Sequence, residues 1–319
     1  MTQAQTSAAQ SQQMDNKTPM KLKEKRPMKM KTRRTMTAYS FLLVPLIFFI
    51  CIRFFPTLYA FSMSFTTQNV NGFTIENYRI LLRDGVFWKS VWNTCKYVII
   101  TVPLQMAFGL ILALAIERVR HFRWFYRMIY FLPYITSTVA VSWVWRLMFD
   151  PSVGFLNQFI GLFGIPAQNW LTDPKEALYC VCAVMIWQSM GFSMLIFMAG
   201  LQGIPKHFYE AAKIDGANRW KVFWKITFPL LNPTIVFLAI TGVIQALQTF
   251  TQIQNLTASS GASAGGPLNS TVSIVVYMYK TAFQEFNMQY ASAVAVVLFL
   301  FILLVTLVQM KVLNKTYEY

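Results

Sequence analysis

Side-chain amides recur at helical intervals within residues 226–279, a stretch that contains no charged residue. Gln245, Gln248, Gln252 and Asn255 are spaced at i, i+3, i+7 and i+10, which would place all four on one face of an α-helix. Amides both donate and accept hydrogen bonds, and an unpaired polar group in an apolar medium costs roughly 2–7 kcal/mol. The amides therefore either bind another helix or line a wet cavity, and such a cavity would suit a neutral polyhydroxyl solute.

A second polar group interrupts another apolar run, residues 177–201. Trp187, Gln188, Ser189 and Phe192 fall near the middle of this run. Amides and aromatic rings buried in this way are typical of helix–helix contacts and of binding cavities. We expect this group to contribute to the same cavity or contact as the amides.

The sequence lacks the motifs and residues that several kinds of chemistry need. There is no G-x-x-x-x-G-K-[ST] phosphate-binding motif and no H-E-x-x-H motif. His121 and His207 are the only histidines, and the apolar runs contain no Asp or Glu. We therefore expect no metal site, no ATP hydrolysis by this chain and no proton relay, so the protein is predicted not to be an enzyme. The four cysteines lie in or beside apolar runs, which makes a disulfide framework improbable.

The elements that position these residues are predicted to be membrane-spanning helices. The chain has 319 residues, of which 55% are hydrophobic and 13% charged, and a span needs about 20 mainly apolar residues. A shorter apolar segment, residues 272–279, follows a Gly- and Ser-rich break and is predicted to be a peripheral helix. The six predicted spans are 39–62, 95–116, 128–149, 177–201, 232–255 and 289–310.

The charge distribution predicts an orientation for these spans. Residues 1–37, 117–127, 202–231 and 311–319 would share one side; they contain 20 basic and 6 acidic residues, against 8 and 6 elsewhere. Positively charged loops stay in the cytoplasm, so both termini are predicted to be cytoplasmic. The net charge of +16 thus reflects topology and attraction to anionic lipid rather than nucleic-acid binding. Residues 1–37 form a polar, basic segment that is predicted to be disordered.

One basic-side segment, residues 202–232, is predicted to form a helical elbow. Pro205 suits a helix start, Gly216 permits the positive φ of a turn, and Asn218 can cap a second helix. Physical chemistry alone leaves two explanations open. The two helices could lie on the lipid headgroups, or they could bind a partner protein.

The elbow sequence resembles the EAA loop of permease subunits in binding-protein-dependent ABC importers. That signature has a Glu-Ala-Ala, a Gly four residues later and an Ile-x-x-Pro; the matching residues are Glu210, Ala211, Ala212, Gly216, Ile226 and Pro229. RWFYRMIYFLPYITSTVAVSWVWRLMF, GFLNQFIGLFG and MAGLQGIP also resemble sugar permeases of the maltose and glycerol-phosphate type. The resemblance extends over about residues 38–312.

The resemblance implies an all-α membrane protein with the ABC importer type I permease fold. Residues 38–319 would be a six-helix permease domain, with the coupling loop at 202–232 and the tail at 1–37. The chain would lie in the bacterial inner membrane beside a second, homologous permease subunit. An ATPase dimer would bind ATP and Mg, and an extracytoplasmic solute-binding protein would deliver the solute. No cofactor is implied for this chain itself.

The resemblance also implies roles for individual residues. Glu210 would pair with a basic group of the ATPase, Ala211 and Ala212 would permit close approach, and Gly216 would supply the turn. The candidate substrate-path residues, including Gln252 from the amide face, are Gln188, Phe192, Gln245, Gln248, Thr249 and Gln252.

The implied cargo is a mono- or oligosaccharide. Glycerol phosphate, a polyol or another small polar solute is the alternative within the family. A stand-alone channel or secondary carrier is the alternative outside it, although such a protein would need no ATPase-docking elbow.

Overall fold

The computed structural model describes residues 30–67, 72–119, 121–258 and 264–313. Within these ranges the regular elements are helices. In chain order they are α1 Met30–Phe49, α2 Phe55–Met63, α3 Glu76–Arg83, α4 Gly85–Arg118, α5 Arg123–Ile135, α6 Thr138–Met148, α7 Phe155–Gly161, α8 Ala177–Gly203, α9 Lys206–Ile214, α10 Arg219–Val222, α11 Phe228–Leu230, α12 Asn232–Leu247, α13 Thr251–Thr257, α14 Ile274–Phe283 and α15 Met288–Leu313. Short π-helical segments follow α1 and α10, at Ile50–Phe54 and Phe223–Thr227.

The chain divides into two compact units between Thr57 and Leu58. In the first unit, α1 begins at Met30, so the predicted boundary of a disordered tail at residue 37 is wrong by about a turn or two of helix. Lys and Arg are good helix formers, and an apolar helix readily propagates into such a flank. The remainder of the predicted tail, residues 1–29, lies outside the described residues.

Among the described residues, four helical stretches are long and apolar enough to cross a membrane: Arg34–Met63, α4, α8 and α15. They match the predicted spans at 39–62, 95–116, 177–201 and 289–310. Helix α4 has 34 residues and is about 50 Å long, so it extends beyond a hydrocarbon core of about 30 Å.

The other two predicted spans are bent. Helices α5 and α6, which cover the predicted span 128–149, meet at 93°. Pro133 lies in the last turn of α5, and the helix ends before Thr136, whose backbone is extended. The second arm of the elbow, Arg219–Leu230, and α12 meet at 62°. The described part of the chain thus has up to six spans, if each bent pair crosses once.

Helices α4 and α8 form the centre of the second unit and run parallel. Near one end Tyr97 is fully buried close to Cys182, and further along Gly109 lies against Ser193. A Cβ added at Gly109 would lie 2.6 Å from the Ser193 Cβ. Small residues at crossings let helix backbones approach closely, which is how helices associate in lipid.

Residues 264–273 are anchored to the first half of α4. Asn93 donates from Nδ2 to the carbonyls of Asn269 and Val272, at 3.2 and 3.1 Å. The Tyr97 hydroxyl donates to the carbonyl of Thr271 at 2.9 Å. These bonds fix the segment that leads into α14. The short apolar helix predicted at 272–279 is confirmed as α14.

Asp84 ties α14 and α15 to the start of α4. Its Oδ1 accepts from the backbone N–H groups of Val86 and Phe87, at 2.8 and 3.1 Å, and so caps the helix. Its Oδ2 accepts from the hydroxyls of Tyr277 and Tyr290. One carboxylate therefore holds three helices together at the end of the bundle opposite the elbow.

We expect Gly191→Ala to destabilise the helix bundle. A Cβ at this position would lie 1.8 Å from the backbone oxygen of Tyr130, so α5 and α8 must separate. Overpacking of this kind costs about 1–3 kcal/mol, which should lower the melting temperature of the purified protein by several degrees. Gly161→Ala is the control because nothing lies within 4 Å of its added Cβ. Equal melting temperatures for the two variants would contradict the close contact.

Candidate functional site: an amide-lined cavity and a helical elbow

The predicted span 232–255 is not one continuous helix. Helix α12 ends at Leu247, Phe250 has φ −132° and ψ −59°, and α13 begins at Thr251. The prediction that four amides share one uninterrupted helical face is therefore wrong. Thr249 lies within the break and Thr251 follows it directly, and Thr side chains compete with helical backbone bonding.

A distant residue stabilises the break. The Ser273 hydroxyl donates to the backbone carbonyl of Thr249 at 2.8 Å, and the Thr249 hydroxyl donates to the carbonyl of Gln245 at 3.2 Å. Both Thr249 and Ser273 are buried. Backbone groups that leave a helix at membrane depth need such hydrogen-bond partners. The break is therefore a stable part of the fold.

The broken helix lines a cavity of about 510 Å³. Predicted substrate-path residues on its wall are Gln188, Gln245, Gln248, Thr249 and Gln252. These side chains lie together, and the geometry that unites them is a break rather than a helical face. Their role in a substrate path stays a prediction. Phe192 is absent from the wall; it stacks on the lining residue Tyr134 at 4.8 Å. Asn255 is also absent, and its Nδ2 donates to the carbonyl of Thr251 at 2.7 Å.

The amides on the cavity wall form two pairs with different contacts. Gln188 accepts from Gln252 Nε2 at 3.4 Å and donates to Thr138 Oγ1 at 3.3 Å, so this pair does join helices. Gln245 and Gln248 are exposed and line the cavity. The side-chain amides of Gln245 and Gln248 can therefore form hydrogen bonds with a solute in the cavity.

Sequence reasoning missed part of the wall. Gln105 on α4 is 8% exposed and lines the cavity together with Thr101 and Thr138. A Cβ at Gly242 would lie 2.8 Å from Gln105 Nε2, so glycine there leaves room for this amide. The available signal was the single amide within the uncharged run YVIITVPLQMAFGLILALAI. None of the described residues on the cavity wall is charged.

The elbow, residues 202–232, forms as predicted. Helix α9 ends at Ile214, Gly216 has φ +68°, and Asn218 Oδ1 caps α10 by accepting from the Lys221 N–H at 2.8 Å. The Tyr209 and Thr227 hydroxyls, 3.3 Å apart, connect its two arms.

The candidate coupling residues differ in exposure. Glu210, Ala211 and Gly216 are exposed, whereas Ala212 is 6% exposed and packs inside this chain. Around them Ile214 and Trp220 are 87% and 71% exposed. Exposed large apolar side chains of this kind are typical of surfaces that contact another protein.

A bundle of apolar helices, bent around an uncharged amide cavity and carrying an exposed elbow, defines the membrane component of a transporter. Residues 105–319 match the family described as binding-protein-dependent transport system inner membrane component, and the chain belongs to that family. The predicted class, a multi-pass permease component, is confirmed.

The relatives agree with this assignment. The chain is 33% identical to the sulfoquinovosyl glycerol transport system permease of Agrobacterium fabrum, over 80% of this chain and 81% of that protein. It is 32% identical to the multiple sugar-binding transport system permease of Streptococcus mutans, over 88% and 96%.

A solved structure shows the same fold. It is that of a bacterial ABC transporter involved in the import of the acidic polysaccharide alginate, with a TM-score of 0.80 and 23% identity over 90% of this chain and 98% of that chain. The predicted all-α importer permease fold is confirmed. The cytoplasmic location of the termini stays a prediction.

We expect Gln248→Cys to react with a small hydrophilic thiol reagent much faster than Gln254→Cys. Residue 248 faces the cavity, whereas Gln254 is half-buried and outside it, and thiol reactivity requires access for reagent and water. Mass spectrometry would measure labelling in a parent with Cys51→Ala and Cys95→Ala, because Cys51 is exposed and Cys95 is half-buried while Cys180 and Cys182 are buried. Equal rates at 248 and 254 would contradict a hydrated cavity.

Proposed function

We propose that this chain is one of two permease subunits of a bacterial ABC importer and forms half of the translocation path for a neutral carbohydrate. The observation that carries the proposal is the pair of exposed amides, Gln245 and Gln248, in a cavity whose described wall has no charge. Amides can both donate to and accept from sugar hydroxyls. The name of one relative, a multiple sugar-binding transport system permease, supports a carbohydrate cargo.

The uncharged wall also bears on the alternative solutes. Phosphate groups are usually bound by Arg, Lys or a helix N-terminus, and the described wall offers neither Arg nor Lys. Glycerol phosphate is therefore a weaker candidate than a sugar or a polyol. A stand-alone carrier would leave the exposed elbow without a role.

The partners follow from the family and belong to the same proposal. A second homologous permease would complete the path, and an ATPase dimer that binds ATP and Mg would engage the elbow. A solved structure shows the bacterial alginate ABC transporter in complex with an alginate pentasaccharide-bound periplasmic protein, and we propose a comparable solute-binding protein here. The elbow and both termini would then face the cytoplasm of a cell whose inner membrane holds the complex.

Gln245→Leu and Gln248→Leu should each lower uptake by the assembled complex. Each change keeps the side-chain size and removes hydrogen-bonding groups worth about 0.5–1.5 kcal/mol to a bound solute, or about two- to tenfold in rate. The measurement is uptake of labelled sugar per complex in proteoliposomes, with basal ATPase activity and complex yield as internal references.

Gln254→Leu is the matched control because Gln254 lies off the cavity wall. A loss of uptake in Gln254→Leu equal to that in Gln248→Leu would contradict the proposal. A fall in complex yield with normal uptake per complex would show instead that the amides join subunits.

Glu210→Lys should leave the chain in the membrane but weaken capture of the ATPase. A reversed charge would place like charges together at the docking surface, and such contacts cost several-fold to orders of magnitude in affinity. Gly216→Val should act similarly, because a β-branched residue resists the observed φ of +68°. The measurement is co-purification of the ATPase with the tagged permease.

The control for charge reversal is Glu285→Lys, an exposed site in the segment between α14 and α15 at the other end of the bundle. It should retain the ATPase fully. Normal ATPase capture by both elbow variants would leave headgroup binding as the role of the elbow.

A further inference from the structure

A second, apolar groove adjoins the amide cavity. It has a volume of about 300 Å³ and lies between the break, α14 and the first turns of α15. Phe250, the last residue of the break, lines both the groove and the amide cavity. The two spaces are therefore neighbours across a single aromatic side chain.

Three aromatic rings follow one another along the groove. The ring centroids of Phe250 and Tyr279 are 5.0 Å apart at an angle of 51°, and those of Tyr279 and Phe283 are 5.0 Å apart at 39°. Because the planes are tilted, no ring fully covers the face of the next. We call these three residues the aromatic ladder. It begins at the amide cavity and ends at Phe283, which is 56% exposed.

The opposite wall of the groove leaves room along the ladder. Ala291, Ser292 and Ala295 supply small side chains from α15, and none of the described residues on this wall is charged. Small residues facing a row of aromatic rings form a slot that suits a flat, uncharged ligand with an apolar face.

The fold fixes the position of the ladder relative to the cavity. Tyr279 and Phe283 are four residues apart on α14, so both rings lie on one side of that helix. Helix α14 is fixed at its start by the bond from Ser273 to the Thr249 carbonyl and in its middle by the bond from Tyr277 to Asp84. The ladder therefore cannot shift along the cavity without breaking bonds that also define the break.

We infer that the aromatic ladder is an outer subsite for a second and further sugar unit, so that the cargo is an oligosaccharide. The inference rests on the proposed carbohydrate function. A pyranose has a C–H-bearing face that packs on the negative face of an aromatic ring, while its hydroxyl edges need partners that both donate and accept. The ladder supplies the aromatic faces, and the adjoining amides supply the hydrogen-bond partners.

The continuity between groove and cavity favours a sugar over other apolar occupants. An acyl chain would fit the ladder but not the amides into which the groove leads, because unpaired amides beside hydrocarbon are costly. A linear oligosaccharide can pack sugar faces on the ladder and form hydrogen bonds with the amides at the same time. A polyol or a monosaccharide would use the cavity and leave the ladder empty.

The test compares chain lengths. The full importer is assayed in proteoliposomes with saturating solute-binding protein, so that delivery is not limiting. The probes are labelled mono- to hexasaccharides of glucose, galactose, xylose and arabinose. We expect the wild type to import oligosaccharides, and Tyr279→Leu and Phe283→Leu to lower their maximal uptake per complex by about two- to tenfold. Monosaccharide uptake, where present, should change little.

Two controls separate a subsite from a packing role. Tyr279→Phe keeps the ring and should retain oligosaccharide uptake. Phe299→Leu removes a ring from an exposed position on α15 outside the groove and should have no effect. Complex yield and basal ATPase activity should stay normal in every variant.

The outcomes separate this inference from the proposed function. Import of monosaccharides alone, or equal losses for all chain lengths in Tyr279→Leu, would overturn the outer subsite and leave the carbohydrate assignment standing. Reduced complex yield with normal uptake per complex would show that the groove binds the partner subunit, and would also overturn it. No import of any probe would refute the carbohydrate assignment and the subsite together.

Discussion

The hydrogen bond from Ser273 to the carbonyl of Thr249 is the interaction on which the site depends. A helix inside lipid must satisfy every backbone polar group, so a span can open only where a partner takes over the freed bonds. Here the partner comes from the segment before α14, and that segment is itself held against α4 by Asn93 and Tyr97. The opened backbone gives the amides on both sides of the break access to one cavity.

Close helix packing supplies the rigid frame around this opening. Gly191 lies against the backbone of Tyr130 and Gly109 against Ser193, so α8 contacts α5 and α4 at nearly backbone distance. Dispersion between closely packed helices and short polar links replaces the hydrophobic effect, which gives little help inside a membrane. The same strategy recurs at Gly242, where the missing side chain makes space for the amide of Gln105.

Much of this architecture follows from local sequence. Hydropathy predicts the straight spans, and amides in an uncharged run predict most of the cavity wall. The geometry of the wall could not be predicted in the same way, because the break at Thr249 is stabilised by a residue 24 positions later. Periodicity assumes an unbroken helix, so it grouped Asn255 with the cavity residues and overlooked Gln105 on another span. The start of α1 at Met30 was likewise hidden, since basic residues suit both a disordered tail and a helical flank.

The carboxylate of Asp84 determines the pH range over which the junction of α4, α14 and α15 stays intact. Burial favours the neutral acid, but hydrogen bonds from the Tyr277 hydroxyl, the Phe87 N–H, the Tyr290 hydroxyl and the Val86 N–H outweigh it, so the pKa of Asp84 is lowered. A group with a depressed folded-state pKa contributes stability above its unfolded pKa and loses it only as the pH falls through the lower, folded value. Mild acidification of the surroundings would therefore leave this junction charged and intact.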